Sequence, residues 1–162
     1  ALEALPWVRS ASVRRVWPDQ VVVALQEHVA LADWNGEALV TADGHVLRPP
    51  AGTRPEGLPG LYSDVGQSDM VVERFLDWQL RLADVGLDLR VLRLDDRRSW
   101  SLQLDTGTEV RLGRFDVERR LDRFIDAVAM IARVTDSELE SADLRYPNGL
   151  AIRWKADGQD MN

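Results

Sequence analysis

Cysteine is missing altogether from the 162 residues, which excludes disulfides, thiolate metal sites and cysteine nucleophiles. The compartment stays open, because an oxidising one permits disulfides without demanding them. No apolar run approaches the ~20 residues of a membrane span, and no signal peptide is visible. Histidine is scarce. His28 and His45 each lie beside a predicted strand or turn, and no further ligands at zinc spacing accompany them, so solvated polar residues are the plain account. A Gly-x-Ser-x-Gly elbow, a phosphate-binding glycine loop and Ser-x-x-Lys are absent too. Net positive charge is also lacking. The formal charge of −7 and a pI near 4.8 exclude a general nucleic-acid binder, which needs a basic face. No catalytic, cofactor-binding or metal-binding residue is expected.

What is present suits a folded domain. Apolar residues make up 45% and charged residues 29%, a mixture that builds a core and stays soluble. The length allows one ordinary domain or two small ones. Acidic residues are abundant, but neighbours such as Asp95 and Asp96 on a strand point to opposite faces and cannot both line one cleft without a turn. Ala1-Leu-Glu-Ala-Leu-Pro-Trp-Val8 reads as the end of a helix entering a strand, so the chain is expected to be a soluble piece of something longer.

The order of elements follows from periodicity. Residues 11–16 and 21–27 read as a hairpin around Trp17-Pro-Asp-Gln20, with a β-branched second strand. A lone hairpin is barely stable in water and needs a cover. Trp34-Asn-Gly36 breaks the pattern and is a candidate domain boundary. A second hairpin joins residues 38–41 and 45–47 around Ala42-Asp-Gly44, and residues 48–60, rich in proline and glycine, read as a surface loop. Ser68 or Asp69 can cap a helix that runs to about Asp84, with Val71, Phe75, Trp78 and Leu82 as its apolar stripe and Gly86 as its stop. Residues 87–94 and 98–104 alternate as strands, and Asp105-Thr-Gly107 turns into another at 109–112. A second helix spans 116–134, with Leu121, Phe124, Ile125, Val128 and Ile131 facing inward.

The clearest functional clue comes near the end. Over residues 143–154, Leu144, Tyr146, Leu150, Ile152 and Trp154 fall on one face at period two, while Arg145, Ala151, Arg153 and Lys155 fall on the other. Pro147 cannot donate to a ladder, which predicts an edge strand or a bulge, and Asn148-Gly149 tolerates positive φ. An edge strand offers backbone groups to another chain. Arg97, Arg98, Arg114, Arg119, Arg120 and Arg123 are concentrated in one strand start and one helix. A salt-bridged solvent face is their plain account, and a basic rim that steers an acidic partner is the sharper one. Trp78 and Trp100 fall on core faces, Trp7, Trp17 and Trp34 flank turns, and Trp154 is the tryptophan placed to touch a partner.

Several motifs in order resemble the bacterial cell-division family FtsQ, also called DivIB. Leu5-Pro-Trp-Val8, Val13-Arg-Arg-Val-Trp-Pro18 and Glu27-His-Val-Ala-Leu-Ala-Asp-Trp34 are similar to the end of that family's POTRA domain, with Ala30 where proline is more usual. Arg97-Arg-Ser-Trp100, Leu112-Gly-Arg114, Arg120-Leu-Asp-Arg-Phe124 and Asp143-Leu-Arg-Tyr-Pro-Asn-Gly149 resemble its β-domain motifs. Each is short, but their order and spacing together are specific.

The resemblance implies an α+β chain. The end of a POTRA unit (βααββ) covers residues 1–35, an antiparallel-rich β domain with two helices covers 36–155, and 156–162 form a polar tail. It implies a non-enzymatic scaffold of the divisome, from a single-pass inner-membrane protein with its bulk in the periplasm at the septum. Its implied partners are FtsB and FtsL, and indirectly the septal peptidoglycan synthase FtsW with FtsI; neither nucleic acid nor a cofactor is implied. Family positions for strand addition by FtsB fall on Arg98, Arg145, Tyr146, Asn148, Gly149 and Trp154, and Leu150 and Ile152 complete the edge. Asn148 departs from the small hydroxyl residue of some members. Two other classes stay open: a POTRA-type chaperone or secretion module, and a cell-wall glycan-binding domain.

Overall fold

The computed structural model describes residues 5–50, 52–135, 137–146 and 149–155. Valine-rich stretches form β1 (Val8–Val16) and β2 (Gln20–Glu27), an antiparallel hairpin in which Val13 faces Val23 and Val16 faces Gln20. A cis Trp17–Pro18 peptide lies in the turn. The two strands make a sheet of their own, and β2 is exposed along its whole length.

The remaining described strands form one sheet of nine. They are β3 (Ala30–Trp34), β4 (Ala38–Thr41), β5 (Val46–Leu47), β6 (Gly60–Ser63), β7 (Leu89–Leu94), β8 (Trp100–Leu104), β9 (Glu109–Gly113), β10 (Leu139–Asp143) and β11 (Ala151–Trp154). Across the sheet the order is β11-β10-β9-β8-β7-β6-β3-β4-β5. Helix α1 (Ser68–Ala83) links β6 to β7, and α2 (Val117–Ile131) links β9 to β10. Both linked pairs are parallel neighbours, so each helix is a crossover connection. The two crossovers step the same way along the sheet from strands of the same direction. With the usual right-handed connection, both helices must then lie on one face.

That face holds the core. Val71, Val72, Phe75, Trp78 and Leu82 of α1 are buried, as are Leu121 and Phe124 of α2, against Leu92, Leu94, Leu102, Val110 and Leu112 of the sheet. Each large apolar side chain buried this way contributes roughly 1.5–3 kcal/mol. Trp78 and Trp100 meet edge to face at 5.5 Å, and the Arg74 guanidinium covers both rings. Strand alternation keeps Arg93 and Arg111 on the open face while Leu92, Leu94, Val110 and Leu112 point inward. Among the described residues, no helix is long and apolar enough to cross a membrane.

Several expectations change. Residues 143–154 do not form one strand: β10 ends at Asp143, the chain reverses, and β11 pairs back antiparallel to it. Period-two alternation runs on through residues 144–146 although the strand has stopped. Leu144 is fully buried and Tyr146 is 58% exposed, so the two do not share a face. Pro147 and Asn148 lie outside the described residues. Trp34-Asn-Gly36 is a turn within the large sheet, joining β3 to β4, and residues 30–34 pair with β4 and β6 rather than with the hairpin. Helix α1 has no side-chain cap. Gln67, at φ 59, occupies the capping position, while Ser68 Oγ donates to the Gly44 carbonyl at 2.7 Å. There the β4–β5 turn presses on the helix start: a Cβ on Gly44 would come 2.7 Å from Asp69 Cα. The rings of half-buried His28 and exposed His45 stack at 4.8 Å, joining the end of the hairpin to the β5 side of the sheet.

Candidate partner-binding edge

β11 ends the sheet opposite β5, and its outer side has no neighbouring strand among the described residues. The register sets Asp143 opposite Ala151, Ala142 opposite Ile152, Ser141 opposite Arg153 and Leu139 opposite Trp154, with an irregularity between Leu139 and Ser141. Ala142 is buried in the core, so its partner Ile152 lies on the helix-bearing side. Trp154, two residues on and 40% exposed, carries that apolar strip to the rim. Arg153 and Ala151 fall on the open side, beside a polar groove of about 480 Å³ that Glu109, Arg111, Glu140 and Asp143 also line. Arg153 is 3.9 Å from Glu140. At the end of β11, Lys155 donates its backbone N–H to the Glu138 carbonyl, and its ammonium contacts the Glu138 carboxylate at 2.6 Å and the Thr106 carbonyl at 2.9 Å. The hydrogen bond from Lys155 holds the Glu138 carboxyl below its ordinary range.

The chain entering β11 is fixed at both ends of its described parts. Leu144 donates its N–H to the Arg111 carbonyl and sits fully in the core. Arg145 grips Asp143 with Nε at 2.9 and 3.0 Å and Nη2 at 2.6 Å. Hydrogen bonding from Arg145 lowers the Asp143 pKa, against an opposing push from burial, and Asp143 in turn raises that of Arg145. From α2, Arg120 donates to the Leu112 carbonyl at 2.6 Å and to the Arg145 carbonyl at 3.1 Å, while Arg123 reaches the Gly149 carbonyl at 3.3 Å. These two arginines read as members of a solvent face in the sequence. Their i,i+3 spacing beside buried Leu121 and Phe124 was the available sign that they flank the helix rather than crown it.

The expected contact residues spread along the edge: Arg98 and Arg145 lie at the Gly113 end of the sheet, and Trp154 lies at the other end of β11. Tyr146 and Trp154 are exposed and Ile152 is half-buried at the edge. Leu150 packs against the core instead of facing outward, and Gly149 accepts from Arg123. Asn148 lies outside the described residues. Arg98 is exposed at φ 59 in the β7–β8 turn, held by its N–H to the Asp95 carbonyl. That turn leads into Trp100, whose register partner Gly113 is covered by the side chains of Arg120 and Arg145. Arg98 and Arg145 therefore occupy the same end of the sheet.

Residues 30–145 match the family described as "Cell division protein FtsQ/DivIB, C-terminal", and residues 1–28 match "POTRA domain, FtsQ-type". The chain belongs to the FtsQ/DivIB family. The break between the two matches falls where the isolated hairpin gives way to the nine-stranded sheet. Among relatives, the cell division protein FtsQ of Allochromatium vinosum is 40% identical over 158 residues, covering 94% of this chain and 60% of that protein. FtsQ of Coxiella burnetii is 36% identical, with 96% and 64% covered, and FtsQ of Escherichia coli is 33% identical, with 94% and 56% covered. The chain thus spans about three fifths of the length of these relatives. The C-terminal family match ends at Arg145, ahead of Tyr146 and β11.

Proposed function

We propose that this chain is the non-enzymatic scaffold part of a divisome protein, and that β11 accepts an extended segment of FtsB as a further strand. FtsL joins through FtsB, and the two connect the scaffold to the septal synthase FtsW with FtsI. The observation carrying this reading is the open position of β11 at the end of the sheet, flanked by exposed Tyr146 and Trp154. We assign the hairpin, up to about residue 28, to a POTRA unit and the nine-stranded sheet to the β domain. In the whole protein both would stand in the periplasm, tethered to the inner membrane at the septum.

The geometry ranks the contacts. A four-residue strand offers few backbone bonds, each contributing on the order of 1 kcal/mol net, so the ladder alone gives modest affinity. Aromatic anchors must add to it: Tyr146 at one end and Trp154 at the other, with Ile152 between them on the apolar side. Among the described residues Arg98 has no ion-pair partner, whereas Arg145 is already neutralised by Asp143. A partner carboxylate therefore gains more from Arg98. Asn148 and Gly149 serve the approach to the strand.

The test is a calorimetric titration of the chain with a synthetic peptide from the C-terminal region of FtsB. Tyr146→Ala should weaken binding by about 2 kcal/mol or more while leaving the thermal midpoint close to the parent's. Parent-like affinity would place the contact elsewhere. Capture of the chain on purified peptidoglycan with no peptide binding would favour the glycan-binding alternative.

A further inference from the structure

We infer that Arg120 and Arg123 of α2 are positioning residues for the partner edge: they clamp the chain on either side of residues 147–148 and so preset Tyr146 for binding. This inference rests on the strand-addition reading. Three observations carry it. Arg120 spans two elements, donating through Nη1 to the Leu112 carbonyl at the end of β9 and through Nη2 to the Arg145 carbonyl. Three residues along the same helix flank, Arg123 donates to the Gly149 carbonyl. The third observation is Gly113. At φ 78 it ends β9, and a Cβ there would come 2.8 Å from Arg120 Nη1 and 3.2 Å from Arg145 Cγ. A residue without a side chain is what lets the guanidinium and the Arg145 stem cross the strand end together.

Tyr146 follows directly on this arrangement in the chain. Its own ring is exposed, and its preceding neighbour Arg145 is held by side chain to Asp143 and by carbonyl to Arg120. The planar guanidinium suits such duty, because its fork meets two carbonyls at once, which an ammonium cannot do in the same geometry. A loop left to sample other conformations binds with its affinity reduced by the fraction that is competent. Helix α2 thus sets partner affinity without touching the partner.

The experiment measures affinity for the FtsB peptide and thermal midpoint in a double-mutant cycle. Arg123→Gln is combined with Tyr146→Ala and, separately, with Trp154→Ala. Arg120→Lys, which keeps the charge but loses the fork, is the second probe, since removing Arg120 outright also strips the Leu112 carbonyl of its donor. Arg123→Gln and Arg120→Lys should each weaken binding several-fold in the parent. Either should add little once Tyr146 is already alanine, while adding fully to Trp154→Ala. Parent-like binding by both arginine variants, or equal losses in all backgrounds, would overturn the positioning role. Should Tyr146→Ala and Trp154→Ala both bind like the parent, the strand-addition reading fails first and takes this inference with it.

Discussion

Asp143 closes β10 with its carboxylate inside the grip of Arg145, so the last turn before the edge is tied by charge as well as by backbone. The sign of its pH dependence follows. The carboxyl is held below its ordinary range near ~3.9, so the pair's contribution is complete above that value and is lost as pH falls through the lower folded pKa. Carbon-detected NMR of the Asp143 carboxyl should therefore show a midpoint below those of exposed aspartates. Asp143→Asn should abolish the acid-range response of the Arg145 side chain. A midpoint at or above the ordinary value would mean that the pair does not persist in solution. At this scale the sequence shows which residues are polar but not whom they serve. Arg120 and Arg123 look like surface charge because their acceptors are backbone carbonyls, which no side-chain pattern records.

Between elements, Glu118 is the hub of the helical layer. Its carboxylate receives Arg74 and Arg81 of α1 at 2.6 Å each, and accepts the indole N–H of fully buried Trp78 at 3.1 Å. The ion pairs are partly solvated and individually weak, but a buried N–H without an acceptor is costly. Glu118→Ala should lower stability by about 1–3 kcal/mol in chemical denaturation, and Glu118→Gln, which keeps an acceptor, should lower it by less. Equal losses would show that the ion pairs, not the indole, carry the coupling. The helices themselves are legible in the sequence because Val71, Phe75, Trp78 and Leu82 repeat at helical spacing, as do Leu121, Phe124 and Val128. β3, β6 and β10 are not. Ala-Leu-Ala-Asp-Trp, Gly-Leu-Tyr-Ser and Leu-Glu-Ser-Ala-Asp are short and hold few β-branched residues, and each has a parallel neighbour whose pairing depends on a distant crossover. The edge strand itself is legible in the alternation of residues 151–154, but Pro147, which prompted the edge reading, is not part of it. The chain reversal before β11 is not legible, because alternation survives across a turn when flanking residues happen to keep the period.

Taken whole, the molecule has two parts of unequal cover. The hairpin exposes Val13, Val21, Val23 and Leu25, while the nine-stranded sheet buries a continuous core beneath two helices. Backbone amides of residues 11–27 should exchange hydrogen faster than those of 100–112, because opening the hairpin uncovers little apolar surface. Equal protection in this chain would contradict that view of the hairpin. At the far end of the sheet lies the proposed completion of β11 by a strand from another chain. Hydrogen exchange with and without a saturating FtsB peptide tests it most directly. New protection should be concentrated in residues 151–154, where intermolecular backbone bonds form, with residues 38–47 at the opposite edge unchanged. A peptide that binds but leaves 151–154 exchanging as in the free chain would contradict it.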